Sequence, residues 1–159
     1  MTTLKTKDLK IIAHLREDSR MSLTTMSRKT NIPVSTIFDR LKANEDDLII
    51  KHTTLINFEK LGFHTRANIL IKVDRENRLN LKDYLTKHKN VNSVFRINNN
   101  FDYMFEAIFK NIKELEDFLE NIDVKFNIQN KEVFYIIEDI KKESFLSEPY
   151  FIDCLLNQD

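Results

Sequence analysis

Apolar residues return at helical intervals through the first 45 positions, and at alternate positions from residue 67 onward. Leu4, Ile11, Ile12 and Leu15, with Lys, Asp and Arg between them, predict a helix over 4–18. The polar break Asp18-Ser19-Arg20 ends it. Ser22 has the chemistry of an N-cap for a second short helix to about Lys29, with Leu23 and Met26 on its apolar side. Thr30-Asn31-Ile32-Pro33 predicts a tight turn, with Asn31 at a left-handed position. A third helix follows from about Val34 to Glu45, with Val34, Ile37, Phe38 and Leu41 expected inward. Leu48-Ile49-Ile50 and Thr53-Thr54-Leu55-Ile56 read as extended and β-branched.

The second half changes period. Ala67, Ile69, Ile71 and Val73 alternate with Asn68, Leu70, Lys72 and Asp74, which predicts a strand. Residues 80–88 read as a helix capped by Asn80, with Leu81, Tyr84, Leu85 and His88 on one side. Strands follow at 91–97 and 101–109, joined by a turn at Asn98-Asn99-Asn100. Asn111 and Glu114 have capping-box spacing and open a helix with Ile112, Leu115, Leu119 and Ile122 inward. Residues 132–138 form the last strand. Strand, helix, strand, strand, helix, strand is the ferredoxin-like motif, and right-handed crossovers put both helices on one face. The other face is not purely polar. Met104 and Ile108 lie there beside Asp102 and Glu106, and Phe134 and Ile136 oppose Val133, Tyr135 and Ile137. Clean alternation is expected only where one face meets water. A partner subunit's sheet is the simplest cover, so a homodimer is expected.

The fold class is therefore α+β: an N-terminal (winged) helix-turn-helix domain, then a C-terminal ferredoxin-like βαββαβ domain. The expected boundaries are 1–55 for the first, 56–65 for a linker, 66–142 for the second and 143–159 for a C-terminal extension. That extension carries Phe145, Leu146, Tyr150, Phe151, Ile152, Leu155 and Leu156 and is too short to fold alone. It should pack on its own subunit or a neighbour and serve assembly.

In a helix-turn-helix the third helix of this unit enters the major groove. Ser35, Thr36, Asp39, Arg40 and Ala43 are left on its outer side. Ser35 and Thr36 stand in the first turn, Arg40 has the fork that pairs with guanine, and Asp39 can accept from cytosine. Arg28, Lys29, Lys42 and Lys51 are expected on phosphates, which position the protein without reading sequence. Arg40→Ala should then cost about 1–3 kcal/mol of binding and relax base preference.

Charge changes this picture little. The chain is neutral overall, but residues 1–62 hold 11 Lys/Arg against 8 Asp/Glu and residues 63–159 hold 14 against 17. A basic front half suits a nucleic-acid module. One glycine and 16 asparagines leave many turns to Asn. Cys154 is the only cysteine, so no internal disulfide or cysteine zinc site is expected, and a reducing cytoplasm is the expected location. No apolar run approaches a membrane span, and the first residues lack the apolar core of a secretory signal. His14, His52, His64 and His88 lack metal-ligand spacing. No phosphate-cradling glycine loop, triad or paired carboxylates stand out, so neither an enzyme activity nor a metal or cofactor is expected.

Taken in order, these residues resemble the Lrp/AsnC family, the leucine-responsive and asparagine (feast/famine) regulators. The resemblance covers about residues 4–146. It rests on Leu4–Met21 with Asp18-Ser19-Arg20-Met21-Ser22, on Met26-Ser27-Arg28-Lys29 with Asn31-Ile32-Pro33-Val34-Ser35-Thr36-Ile37 and Arg40-Leu41, on Asn99-Asn100-Phe101-Asp102-Tyr103, and on Glu138 with Lys142. It implies a sequence-specific regulator on double-stranded DNA, in dimers, tetramers or octamers, modulated by a small molecule. Ser19, Asn31, Leu48 and Asn99 stand where the family has glycine, and Asn44 where it has leucine. The resemblance puts an effector site at Asn99, Asn100, Asp102 and Tyr103. Asn99 adds a side chain at the ligand's approach, which argues against an amino acid as effector. Two alternatives remain. Sirohaem decarboxylases resemble this same architecture, and His64, Arg66 and Arg96 would be the side chains for tetrapyrrole carboxylates. The other is an interaction protein with a vestigial helix-turn-helix.

Overall fold

Capping and apolar spacing produce three short helices at the N-terminal end. In the computed structural model, which describes residues 6–45 and 48–156, α1 spans Thr6–Glu17, α2 Leu23–Thr30 and α3 Val34–Glu45. Ser22 caps α2 from an extended backbone, its Oγ accepting the Thr25 N–H at 3.1 Å. Asn31 closes α2 at φ 56°, and its N–H donates to the Ser27 carbonyl at 2.9 Å. That left-handed cap suits asparagine better than most non-glycine residues. Ile11, Met26, Ile32 and Ile37 meet in the centre, with Leu15, Met21, Leu23 and Leu41 packed around them.

Three expectations for this region are corrected. Val34 is 41% exposed and Phe38 55%, so neither lies inward. At 3.6 residues per turn Phe38 stands roughly 100° around the helix from Ile37, beyond the stripe that Ile37 and Leu41 bury. Arg40 turns the other way: it is half-buried and faces α1. Being three residues past Ile37, it falls about 60° from it, on the core side. Finally, Leu48-Ile49-Ile50 and Thr53-Thr54-Leu55-Ile56 form no strand, and residues 50–57 are all exposed. Their β-branched side chains have no sheet to pair with.

By its contacts the chain forms two units, one joining the described residues up to Thr54 with those from Ile140, the other being Leu55–Asp139. Within the first, the tail returns to α1. Arg16 Nε donates to the Phe145 carbonyl at 2.5 Å and Nη2 to the Glu143 carbonyl at 3.0 Å, with the Glu143 carboxylate at 3.2 Å. The α6 helix (Pro149–Leu156) then packs on α1 and buries Ile152.

The second unit contains β1 (Thr65–Val73), α4 (Arg78–Lys87), β2 (Val91–Arg96), β3 (Tyr103–Phe109), α5 (Ile112–Phe126) and β4 (Ile128–Tyr135). The sheet order is β2-β3-β1-β4 with every neighbour antiparallel, the ferredoxin-like arrangement. Strict alternation holds in β1, where Thr65, Ala67, Ile69, Ile71 and Val73 are buried and the residues between them half-buried. Tyr103, Phe105, Ala107 and Phe109 continue that face on β3 and meet Leu81, Leu85, Leu115, Phe118, Leu119, Ile122 and Phe126 of the two helices. The capping box forms as spaced: Asn111 Oδ1 accepts the Glu114 N–H at 2.9 Å. Two boundaries differ. The α4 helix starts at Arg78 after Asn77, leaving Asn80 exposed inside it. The last strand begins at Ile128 and ends at Tyr135, because Asn127 caps α5 in a left-handed conformation (φ 50°) and turns the chain directly into it.

Opposite α4 and α5 the sheet presents a cross-strand apolar row. Phe95 pairs with Met104 and Met104 with Leu70, and Phe134 follows beside Asn68. Phe95 and Phe134 are each 51% exposed.

Candidate nucleic-acid interface

The turn Asn31–Pro33 throws α3 across α2, and α3 has two unlike sides. The buried side is anchored by Ile37 and by an ion pair, Arg40 Nη1 to Asp8 Oδ1 at 2.6 Å, with side-chain exposures of 24% and 12%. Arg40 Nε and Asn44 Nδ2 are buried there and make no hydrogen bond among the described residues. The outer side presents Ser35, Phe38, Asp39, Lys42 and Ala43, all exposed, with Thr36 half-buried at the margin. Arg28 and Lys29 are exposed on the last turn of α2. Arg28 reaches Thr25 Oγ1 at 3.4 Å, and Lys29 Nζ lies 3.5 Å from Glu17 Oε2. The Glu17 carboxyl is held below its ordinary value, chiefly by its hydrogen bond with His14 and to a smaller degree by Lys29, with a slight loss of solvation opposing them. Exposed pairs of this kind contribute little, so Lys29 is free to leave Glu17 for a phosphate. Lys51 is exposed on the irregular stretch after α3.

Of the eight expected DNA-facing residues, Ser35, Asp39, Lys42, Arg28, Lys29 and Lys51 are exposed, Thr36 is partly so, and Arg40 is committed to Asp8. Sequence reasoning missed Asp8, whose signal was available. It is the acidic residue one turn before the α1 core position Ile11, on the side where a buried arginine needs a carboxylate.

At the β2–β3 turn Asn99 and Asn100 both take positive φ, 56° and 68°, and both are exposed. Asp102 and Tyr103 are bound inward. Asp102 Oδ2 accepts the Val73 N–H at 3.1 Å and Oδ1 pairs with Arg78 Nη2 at 2.8 Å. The Tyr103 hydroxyl donates to the Arg78 carbonyl at 3.2 Å. These four residues therefore split into an exposed turn and a buried clasp on the start of α4.

The tetrapyrrole candidates are not brought together. Arg66 is held by Asp139, Nη1 to Oδ2 at 2.8 Å, and by Glu106 at 3.4 Å, which raises its pKa above the usual arginine range. Strand register sets Arg96 level with Tyr103 and Ile71, five residues along β1 from Arg66, or about 17 Å. His64 is exposed. Among the described residues no cluster of three His, Cys, Asp or Glu could hold a metal, and no helix is long and apolar enough to cross a membrane.

A capped helix-turn-helix with an open outer face, joined to an antiparallel βαββαβ unit, has the architecture of a DNA-binding transcriptional regulator, and the relatives carry that assignment. Comparison with known proteins fixes the family. Residues 66–146 match the Lrp/AsnC ligand binding domain and residues 4–46 a winged helix-turn-helix DNA-binding domain. The chain belongs to the Lrp/AsnC family. It is 30% identical over 143 residues to an uncharacterised HTH-type transcriptional regulator of Pyrococcus furiosus, covering 89% of this chain and 96% of the relative. It is 28% identical over 113 residues to the regulator LrpC of Bacillus subtilis, covering 70% and 78%. The solved structure of B. subtilis LrpC superposes with a TM-score of 0.79 at 22% identity, covering 89% of this chain and 99% of that one. A transcriptional regulator of Neisseria meningitidis, solved as an L-Met complex, superposes at 0.81 and 22% identity, covering 88% and 94%. With relatives named as regulators, the enzyme alternative is not favoured.

Proposed function

We propose that the protein is a sequence-specific regulator acting in the cytoplasm, binding double-stranded DNA as a homodimer with one α3 helix of each copy in the major groove. The observation that carries this is the division of α3: Ile37 and the Arg40–Asp8 pair fix one side, while Ser35, Asp39 and Lys42 stay open on the other. Ser35 and Thr36, in the first turn, are the base-facing hydroxyls, and Asp39 is the acceptor for a cytosine amino group. Arg28, Lys29, Lys42 and Lys51 take phosphates. Arg40 is assigned to holding α3 in place instead of reading a base. The dimer forms through the sheet face lined by Phe95, Met104, Leu70 and Phe134, which α4 and α5 leave uncovered. Tetramers or octamers are the expected higher assemblies.

Two half-sites one helical turn apart, about 34 Å, follow from such a dimer. Fragments recovered from genomic DNA with the purified protein should share a near-palindromic site, and binding should fall steeply with salt. Recovery of fragments with no shared sequence would contradict the proposal. The dimer is tested with Phe95→Glu plus Phe134→Glu. A monomer by light scattering supports the sheet interface, and an unchanged mass removes it.

The similar Neisseria regulator is a complex with L-Met, and the β2–β3 turn is where an effector is expected from the family resemblance. Here Asn99 brings a side chain to that turn, and Asp102 and Tyr103 are engaged with Val73 and Arg78. We therefore assign this turn a small-molecule effector other than a free amino acid. A thermal-shift panel of amino acids without stabilisation supports this, and stabilisation by L-Met overturns it.

A further inference from the structure

The outer face of α3 is not uniformly polar. Phe38 is 55% exposed and Val34 41% exposed, and both belong to the helix that the helix-turn-helix places against DNA. On a helix, positions three and four apart are neighbours. Phe38 is thus flanked by Val34 and Ser35 on the preceding turn and by Lys42 on the next. Phe38 stands at the edge of the water-facing side, next to the buried stripe, and the half of its ring left exposed gains nothing for the fold, whereas Ile37 beside it is fully buried. Arg28, Lys29 and Lys42 supply the positive charge that brings a polyanion to this surface. In the major groove the one apolar group offered by the bases is the thymine 5-methyl, and aromatic and aliphatic side chains are its usual contacts.

We propose that Phe38, with Val34 beside it, is a specificity-determining residue that reads thymine 5-methyl groups in the operator. The assignment rests on α3 lying in the major groove, as proposed above. With Arg40 withdrawn to Asp8, base choice on this helix shifts from guanine-directed hydrogen bonding toward thymine-directed apolar contact, supported by Ser35 and Asp39.

The test uses the full-length protein and a DNA site recovered from its own genomic selection. Each thymine is replaced in turn by deoxyuridine, which pairs identically and lacks only the methyl group. Wild type should lose about fourfold in affinity at one or more positions, the loss expected for one buried methyl contact. Phe38→Ala should bind the thymine site more weakly and show no further loss at those positions. Phe38→Leu should keep part of the discrimination. The side chain is more than half exposed, so Phe38→Leu should keep the wild-type melting temperature and Phe38→Ala should lower it only slightly, both remaining folded at the assay temperature. A wild type indifferent to every replacement, or a Phe38→Ala protein with the wild-type thymine/deoxyuridine profile, overturns the proposal. Lys42→Ala separates the two levels. If it weakens binding while the Phe38 variants keep the wild-type profile, α3 still lies on DNA and only the thymine assignment fails. If Lys42→Ala, Ser35→Ala and Phe38→Ala all bind as wild type, the placement of α3 in the groove fails with it.

Discussion

Among the described residues, fifteen buried side chains fill the space between the sheet and its two helices, whereas four fill the centre of the three-helix unit. The difference lies in what each unit must leave uncovered. The sheet unit buries one complete face and keeps its spare apolar side chains, Phe95 and Phe134 among them, on the other. The helix-turn-helix unit must keep the outer side of α3 open, and only a narrow stripe is left for its core. It compensates with contacts that a larger core would not need. An arginine–aspartate pair lies inside it, a second arginine holds the returning tail, and α6 adds Ile152 to α1. Small units have a poor ratio of buried to exposed surface, and such supplements are how they stay folded.

The comparison breaks most visibly at the one fully buried aromatic ring among the described residues. Phe105 is fully buried on β3, edge-on to Phe118 at 6.3 Å between centroids. Phe105→Ala should cost about 3–5 kcal/mol, measured as a fall in urea midpoint at unchanged slope. Ile37→Ala in the smaller core should cost less, about 2–3 kcal/mol, because a thin unit can collapse around the gap. A greater loss for Ile37→Ala would mean that the two units do not differ in the way described.

Next in size is the Asp8–Arg40 pair. Removing one partner of a buried pair strands the other, at about 3–5 kcal/mol when burial is complete. Both side chains here retain some exposure, so Asp8→Ala should cost about 2 kcal/mol of stability. Asp8→Leu combined with Arg40→Met should recover most of it, since an apolar pair needs no desolvated charge. The double variant should also keep the wild-type base preference. A changed operator profile would return Arg40 to the base-reading set.

How far the sequence foretold these differences depends on the same geometry. The sheet unit was legible because alternation is a strong signal and Asn111, Asn99 and Asn100 stand at its turns. The start of the last strand at Ile128 was missed, since Gln129-Asn130-Lys131 is polar and does not read as a strand, while Asn127 turns the chain directly from α5 into it. In the helix-turn-helix, the caps Ser22 and Asn31 and the core residues Ile11, Met26, Ile37 and Leu41 could be read from spacing. The orientation of Phe38 and Arg40 could not be read from residue type, because an exposed phenylalanine and a half-buried arginine each contradict their hydropathy. The partner of Arg40 lies 32 residues away on another helix, beyond what local pattern conveys. The segment after Ile49 carries β-branched residues without strand pairing, since propensity acts only where a neighbouring strand is present.

The tail supplies a smaller effect. Ile152 is 1% exposed on a short helix against α1. Ile152→Ala should cost about 2 kcal/mol, the low end for buried isoleucine, because α6 can shift to close the gap. The loss should appear in the helix-turn-helix unit first, as faster amide exchange in α1. Removing residues 147–159 should do the same and should also change the oligomer mass, since Tyr150 and Phe151 stay exposed on α6 for a neighbouring subunit. An unchanged mass would rule out the role in assembly expected of the tail.

The smallest effect is a pH dependence confined to the sheet unit. His88 ends α4 with its ring 4.4 Å from that of Phe118 and 5.6 Å from Tyr84, and its Nδ1 accepts the Asn90 N–H at 3.2 Å. Burial among these rings, and secondarily Lys89, lowers its pKa below the ordinary histidine value of 6.5. The folded state therefore favours neutral imidazole. Its contribution is complete above pH 6.5 and is lost as pH falls through the lowered folded value, where the ring must be protonated against its surroundings. Glu17, also lowered, titrates in the more acidic carboxylate range and does not contribute to the same window. Between pH 7.5 and pH 5, wild type should lose more melting temperature than His88→Phe, which keeps the aromatic contacts and cannot take a proton. Parallel curves for the two proteins would show that the ring is protonated in the folded state at no cost, and that the sheet core is open to water at the end of α4.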